Sequence, residues 1–259
     1  MRVYYMNGAG NDFMVIDARE EKADYPQLAI KLCKLTGADG FMAVENSDRA
    51  DFRLRFYNSD GTRGEMCGNG ARCICRFAYD LGIAGAEMTV ETDAGLVPGK
   101  RMDENRYQVR LNDPSVLDLH RKDGVAYVEL GNPGVPHAVV EYAGDLWGAA
   151  EALKERFREL RFDAAFPKGA NVNFFQILGE GEARVLTFER GVEDYTLACG
   201  TGCGSVAAVL WMQGRLPGGV LTAHNRGGTL KLTVSGEDSR VDAILLEGPT
   251  EVVRVYEVE

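Results

Sequence analysis

A short cysteine-glycine pattern occurs twice in this chain, once in each half. The first copy is Cys67-Gly68-Asn69-Gly70 and the second is Cys199-Gly200-Thr201-Gly202, and an apolar, helix-forming run follows each copy. A chain of 259 residues is long enough for two domains of about 130 residues, each with its own core. The duplication therefore predicts two matching halves, in each of which a helix begins at a cysteine.

The position of these two cysteines predicts a specific chemistry. The first amides of a helix lack intrahelical acceptors and carry the positive end of the helix dipole, which favours a thiolate and can hold a carboxylate. The flanking glycines allow close approach of a ligand to the backbone. If the halves bring Cys67 and Cys199 to opposite faces of one carbon, one removes a proton and the other returns one. Two helix caps that happen to contain cysteine are the plain structural alternative.

The remaining cysteines are predicted to be buried free thiols. They are Cys33, Cys73, Cys75 and Cys203. None of the spacings among the six cysteines forms the paired C-x2-C arrangement of a zinc site, so no metal is expected. The absence of a local C-x-x-C also counts against the alternative of a thiol oxidoreductase, and a non-catalytic amino-acid-binding protein would not need both thiols.

The composition limits the kinds of partner that this protein is expected to bind. A net charge of −10 and a pI near 5.0 count against nucleic acid, since phosphate backbones need a basic face. No apolar run reaches the roughly 18 residues that span a membrane, and residues 1–8 do not resemble a secretory signal. We therefore expect a soluble, cytoplasmic protein without nucleic-acid or membrane partners.

Periodicity predicts an α/β protein whose halves repeat one order of elements. A turn-forming cluster at 112–115 predicts the boundary, which gives halves at 1–113 and 114–248. Direct packing of the halves would leave the active site in a cleft between them. The predicted helices are 26–36, 71–81, 147–160 and 202–213. The predicted strands are 12–17, 51–57, 88–92, 106–111, 125–130, 138–141, 172–178, 184–189, 219–223, 230–234 and 241–246.

Several longer motifs in this order resemble the pyridoxal-independent diaminopimelate epimerase family, and the resemblance covers essentially the whole chain. The motifs are residues 8–13 (GAGNDF), 58–61 (NSDG), 65–73 (EMCGNGARC), 131–133 (GNP) with His137, 171–174 (NVNF), 189–192 (ERGV) and 198–202 (ACGTG). The resemblance implies two pseudo-symmetric halves, each a curved β-sheet around a central helix, with a C-terminal strand at 249–259 that returns to the first half.

The family resemblance also implies roles for individual residues. Cys67 and Cys199 would be the acid/base pair, acting without a cofactor on a small amino-acid substrate. A homodimer is compatible with the family, and the sequence leaves the oligomeric state open. The residues implied to bind substrate are Asn11, Asn58, Gly68, Asn69, Gly70, Asn132, His137, Asn171, Glu189, Arg190, Gly200 and Thr201.

Two segments depart from the family pattern. The family has a contiguous Gly-Asn-Pro-His, whereas this chain has GNPGVPH over residues 131–137, which leaves open whether Asn132 or His137 takes the usual place. The segment 36–41 is also shorter than usual. The expected reaction is epimerisation of LL- to meso-diaminopimelate, in lysine and cell-wall precursor biosynthesis. A related racemase of histidine, lysine or glutamate is the alternative, and a proline-racemase-like activity fits the motifs less well.

Overall fold

The computed structural model describes residues 1–64, 67–237 and 240–258. Contacts divide the chain into two compact units, Met1–Arg110 with Glu247–Glu259, and Leu111–Leu246. The turn predicted at 112–115 is partly wrong, because Pro114 already begins a strand. Proline is tolerated at the first residue of a strand, where no ladder hydrogen bond needs its missing N–H.

The helices are α1 (Tyr25–Thr36), α2 (Gly68–Asp80), α3 (Ala150–Arg161) and α4 (Gly200–Met212). The strands up to residue 110 are β1 (Arg2–Gly8), β2 (Asn11–Asp17), β3 (Gly40–Glu45), β4 (Phe52–Asn58), β5 (Glu87–Thr92), β6 (Gly95–Arg101) and β7 (Arg106–Arg110). The later strands are β8 (Pro114–Lys122), β9 (Val125–Gly131), β10 (Gly134–Glu141), β11 (Asn171–Gly179), β12 (Glu182–Glu189), β13 (Asp194–Thr196), β14 (Val220–Asn225), β15 (Gly228–Glu237), β16 (Arg240–Pro249) and β17 (Glu251–Glu257).

The first unit contains a mixed sheet in the order β17-β1-β2-β3-β4-β5-β6-β7. Two of its neighbouring pairs are parallel, β2 with β3 and β4 with β5. Parallel neighbours need a crossover connection, and α1 supplies the first and α2 the second.

The second unit repeats this plan. Its sheet runs β8-β9-β10-β11-β12-β14-β15, and the short β13 also pairs with β12. The parallel pairs are β10 with β11, joined through α3, and β12 with β14, joined through α4. Helices α2 and α4 therefore occupy equivalent crossovers, and the two cysteine motifs begin equivalent helices.

Each of these two helices lies inside its sheet. Helix α2 packs against β1 and β2 near one end of the sheet and against β6 and β7 at the other, so the sheet curves around it. Helix α4 likewise packs against β9, β10, β11 and β15. Most residues of both helices are buried. The fold class predicted from the sequence, two pseudo-symmetric α/β halves, is confirmed.

Helices α1 and α3 cover the outer faces of the two sheets. An aromatic and aliphatic core lies between each helix and its sheet: Tyr25 of α1 and Phe41 of β3 belong to the first core, and Phe157 of α3 and Phe174 of β11 belong to the second. None of the helices in the described part of the chain has both the length and the apolar composition to cross a membrane.

Candidate active site

Cys67 is the residue at which α2 begins. Its backbone is extended (φ −107°, ψ 117°), and its carbonyl accepts the N–H of Ala71 at 2.8 Å, which is the first intrahelical bond. The side chain is half-buried. The predicted helix start is thus confirmed, and the amides of Gly68, Asn69 and Gly70 form the first turn, where intrahelical acceptors are lacking.

A chain of polar side chains connects this first turn to the start of β2. Asn69 donates from Nδ2 to Oδ1 of Asn11 at 2.7 Å. Asn11 in turn donates from Nδ2 to Oδ2 of Asp39 at 3.1 Å, and the same oxygen accepts the N–H of Asp12 at 2.9 Å. Asp39 thereby fixes the side chain of Asn11, and Asn11 fixes that of Asn69.

The register of the first sheet brings Asn58 to the same end. Gly40 pairs with Phe13 on one side and with Asn58 on the other, so the start of β2, the start of β3 and the end of β4 lie together. Asn58 is exposed, and its Nδ2 donates to Oγ1 of Thr62 at 3.0 Å within the turn that follows.

Glycine at position 8 allows α2 to approach this end of the sheet. A Cβ on Gly8 would lie 2.8 Å from Sγ of Cys73 and 2.9 Å from the carbonyl oxygen of Asn69. Real Cβ atoms essentially never come closer than 3.0 Å. Any side chain here would push the first turn of α2 away from β1.

Cys199 is the corresponding residue of the second unit. Its backbone is extended (φ −122°, ψ 110°), and its carbonyl accepts the N–H of Cys203 at 3.0 Å. The thiol is almost fully buried, accepts the N–H of Gly202 at 3.4 Å and lies 3.5 Å from Oγ1 of Thr201. The first-turn amides of Gly200 and Thr201 complete this helix start.

The expectation of a low pKa at both cysteines is wrong for Cys199. Burial, reinforced by the negative charge of Glu189, raises the pKa of this thiol, and the hydrogen bonds with Thr201 and Gly202 offset only part of the effect. The physical reason is one of magnitude. A helix dipole contributes about 0.3–1 kcal/mol, less than one pKa unit, whereas full burial shifts a pKa by up to about 3–5 units.

Four more of the sequence-predicted residues, His137, Asn171, Glu189 and Arg190, lie at one end of the second sheet. His137 on β10 pairs with Asn171 on β11, and Val172 pairs with Phe188, the neighbour of Glu189 on β12. Asn171 accepts the backbone N–H of Arg190 through Oδ1 at 2.8 Å. The guanidinium of Arg190 donates to the carbonyl of Lys168 at 3.1 Å, and both Glu189 and Arg190 are half-buried.

The structure separates the two candidates in the segment 131–137. Asn132 lies on the exposed turn of the β9–β10 hairpin, where Gly131 pairs with Gly134. His137 lies inside β10 and is completely buried, and this burial, together with the charge of Arg190, lowers its pKa to about 3. The residues directly before His137 are Val135 and Pro136, so an apolar side chain stands where a contiguous Gly-Asn-Pro-His has asparagine.

Two further residues belong to these networks although sequence reasoning did not single them out. Asp39 was visible only as part of the shortened segment 36–41. Asn173 belongs to the motif NVNF, in which the family resemblance implies a role only for Asn171. Asn173 is buried and contacts His137 and Thr187. The sequence feature that could have indicated Asn173 is its spacing of two residues from Asn171, which places both asparagines on one face of a strand.

Among residues 1–64, 67–237 and 240–258, no group of three or more His, Cys, Asp or Glu side chains is arranged to hold a metal ion. Glu65 and Met66, the two residues before Cys67 in the motif EMCGNGARC, lie outside the described residues.

Comparison with known proteins decides the family. The sequence pattern of diaminopimelate epimerase matches residues 3–117 and 130–253. The chain belongs to the diaminopimelate epimerase family. Two relatives, both named diaminopimelate epimerase, agree with this. The protein of Aquifex aeolicus is 36% identical, covering 99% of this chain and 96% of its own length, and that of Caldanaerobacter subterraneus subsp. tengcongensis is 35% identical, covering 100% of both.

Solved structures agree on the fold. A phenazine biosynthesis protein of the PhzF family from Bacillus anthracis has a TM-score of 0.76 at 15% identity and covers 100% of this chain and 99% of its own. At that identity the likeness concerns the fold alone. The resemblance to diaminopimelate epimerases that the sequence motifs indicated is confirmed.

Proposed function

We propose that this protein is an isomerase that converts LL-diaminopimelate to meso-diaminopimelate without a cofactor, in the cytoplasm, as a step of lysine and cell-wall precursor biosynthesis. The observation that carries the proposal is the position of the two cysteines. In a chain of this family, Cys67 and Cys199 begin the equivalent crossover helices of two equivalent units. The choice of diaminopimelate as the substrate rests on membership of the family.

The proposed reaction exchanges protons between one α-carbon and the two sulfurs. A thiolate takes the α-proton from one face, and the electron pair that remains is delocalised into the carboxylate. The thiol on the opposite face then gives its proton to the carbon. The enzyme ends with the proton on the other sulfur, so each stereoisomer requires the opposite protonation of the pair. Two thiolates repel each other, so the pair carries one shared proton in its working state.

The environment of Cys199 supports a resting role as the acid of the pair. Burial raises the pKa of this thiol, which favours its protonated form, so in the proposed reaction Cys199 acts first as the acid. Cys67, which is half-buried, is then the base for the stereoisomer that binds to the resting state.

The first turns of helices α2 and α4 offer hydrogen-bond donors for the negative charge that develops on the substrate during the reaction. The first-turn amides at Gly68, Asn69 and Gly70 and at Gly200 and Thr201 are donors of the kind that bind carboxylates at helix N-termini. Carbanion character at the α-carbon places more charge on that carboxylate in the transition state than in the substrate, so these donors stabilise the transition state selectively.

The distal end of the substrate requires recognition of an ammonium and a second carboxylate. Glu189 and Arg190 are adjacent and half-buried, and a guanidinium matches a carboxylate through two parallel hydrogen bonds. Side-chain amides, which can bind an ammonium or a carboxylate group, are contributed by Asn11, Asn58 and Asn171. We propose no nucleic-acid or membrane partner, and a homodimer is compatible with the reaction.

The test of the two-base mechanism is exchange of the α-proton in deuterated water, followed by chiral chromatography. We expect Cys67→Ala and Cys199→Ala each to lower turnover by at least about 10²-fold, because either change leaves a base without its acid. Cys33→Ala and Cys75→Ala are matched controls, since both thiols are buried and have raised pKa values of about 11 and about 12. Near-normal turnover in either of the first two variants would exclude the mechanism.

The substrate is tested separately by comparing kcat/KM for diaminopimelate, lysine, histidine and glutamate. If Arg190 binds a distal carboxylate, diaminopimelate should exceed lysine by about 10- to 150-fold, the value of a lost charge-assisted bond. The apolar Val135 before Pro136 and His137 favours the alternative, a related racemase of another amino acid. Higher kcat/KM for histidine, lysine or glutamate would establish that alternative and leave the two-thiol mechanism in place.

A further inference from the structure

A fully buried carboxamide, that of Asn173, lies next to the ring of His137. Its Nδ2 is 3.2 Å from the carbonyl oxygens of Ala138 and Asn171, and its Oδ1 accepts from Oγ1 of Thr187 at 2.9 Å. Carbonyl oxygens only accept hydrogen bonds. These two contacts therefore fix the orientation of the amide, with the NH2 group toward β10.

This orientation determines which nitrogen of His137 carries the proton. Nδ1 of His137 lies 3.1 Å from Nδ2 of Asn173. An NH2 group only donates, so Nδ1, which shares the two N–H groups of this amide with the two carbonyl oxygens, faces them with its lone pair, and the ring proton is on Nε2. The burial that lowers the pKa of His137 to about 3 keeps the ring neutral with this single proton.

The other ring nitrogen has no partner in the described part of the chain. Nε2 of His137 is buried and makes no hydrogen bond with those residues. Buried polar groups in folded proteins are nearly always hydrogen-bonded, and the exceptions commonly have a functional reason. A neutral N–H donor at this position, near the positive charge of Arg190, suits an anionic oxygen.

We propose that Asn173 is a positioning residue of the reaction: it fixes the proton of His137 on Nε2, and this nitrogen donates to a carboxylate oxygen of the bound amino acid. The inference rests on the proposed function for the identity of the ligand. A ring with its proton on Nδ1 would present a lone pair at Nε2 and repel the carboxylate. A purely structural role for Asn173, joining β10 to β11 and β12, would require no particular tautomer.

The tautomer can be observed directly. The chain has three histidines, so ¹⁵N-histidine labelling and long-range proton-nitrogen correlation at pH 7 give few signals, and His137→Gln assigns those of His137. We expect Nδ1 of His137 to be unprotonated and Nε2 to be protonated, with the Nε2 signal moving when diaminopimelate is added. A proton on Nδ1, or on both nitrogens, in the wild-type protein would overturn the proposal.

Asn173→Asp should reverse the tautomer, because a carboxylate accepts from Nδ1–H. In this variant we expect kcat to fall by roughly 10²-fold through misplacement of the ligand, with a smaller change in KM. Asn225→Asp is the matched control: Asn225 is another buried asparagine of the same unit, bonded to Ala223 and Cys203, and its replacement should leave the His137 signals unchanged.

If Asn173→Asp does not fold, Asn173→Ala serves instead and should give a mixture of tautomers; if neither folds, the wild-type spectrum decides. Wild-type His137 signals in either folded variant would reject the role of Asn173. The spectrum without ligand needs no activity. A wild-type protein with the expected tautomer but no exchange of the α-proton of diaminopimelate would therefore count against the proposed function, not against the tautomer.

Discussion

Replacing Gly202 with alanine should damage both stability and turnover. Gly202 lies in the first turn of α4, three residues after Cys199. A Cβ added there would lie 2.2 Å from Oδ1 of Asn173 and 3.2 Å from Oγ1 of Thr187. Ordinary contacts begin near 3.4 Å, so the helix start or the Asn173 side chain must move by more than 1 Å.

The buried hydrogen bonds of Asn173 determine the size of the effect. Its carboxamide contacts Thr187, His137 and two backbone carbonyls, so it cannot rotate away without losing them. Overpacking costs about 1–3 kcal/mol, and each lost bond adds about 1 kcal/mol. Alanine in place of glycine returns about 1 kcal/mol through helix propensity. We expect the free energy of unfolding to fall by about 1–4 kcal/mol, and kcat by about 10²-fold if the helix start moves by 1 Å.

Gly204→Ala in the same helix is the matched control. It gains the same helix propensity, but its closest contact is the terminal Cδ1 of Leu111 at 2.6 Å, which a rotamer change can move. Urea unfolding and α-proton exchange in deuterated water measure the two effects. Gly202→Ala with the stability and turnover of Gly204→Ala would refute the reasoning that the buried amide fixes the position of this helix start.

Three further predictions concern individual side chains. Iodoacetamide near pH 7.5 should modify Cys67 before Cys199, because Cys67 is half-buried while Cys199 is nearly inaccessible and has a raised pKa; peptide mapping that finds equal rates would contradict this. His137 is neutral when folded, with a pKa of about 3 against 6.5 in the unfolded chain, so unfolding takes up a proton below pH 6.5 and stability falls as the pH decreases. The loss at pH 5 should be about 2 kcal/mol, and urea unfolding of His137→Gln should lack that part of the slope. Asp39→Ala removes the acceptor for Asn11 and Asp12 and should lower kcat/KM by roughly tenfold, whereas Asp39→Asn keeps an acceptor oxygen and should lose less.

The helices could be predicted because their signals are local. Apolar spacing and glycine-rich starts indicated all four of the helices named above to within three residues. Helix α2 begins three residues earlier than predicted, at Gly68, and α3 begins three residues later, at Ala150. Residues 146–149 form hydrogen-bonded turns instead, although the N–H of Ala149 already donates to the carbonyl of Asp145 at 2.9 Å, the spacing of an α-helical bond. Strands β1, β3, β6, β8 and β13, by contrast, were not predicted. For β3 the reason is that its residues are buried throughout, so the alternation that marks a half-exposed strand is absent.

The polar networks could not be predicted because they depend on strand register. Asn11 and Asp39 are far apart in sequence and meet only because β2 and β3 are parallel with Phe13 opposite Gly40. The same holds for His137 and Asn173, which meet because β10 and β11 are parallel with His137 opposite Asn171. Motifs identify which residues matter, but pairing decides which of them contact each other.

Deep burial and a raised pKa distinguish Cys199 from the half-buried Cys67, although the two cysteines occupy equivalent places in the fold. Cys199 is nearly buried, next to Glu189, and donors at Thr201 and Gly202 offset only part of the rise in its pKa. In the proposed reaction, repulsion between two thiolates already favours the singly protonated pair, and the inequality decides where the shared proton rests. A proton held on Cys199 suits the stereoisomer that the Cys67 thiolate deprotonates, whereas the other stereoisomer requires the proton on Cys67.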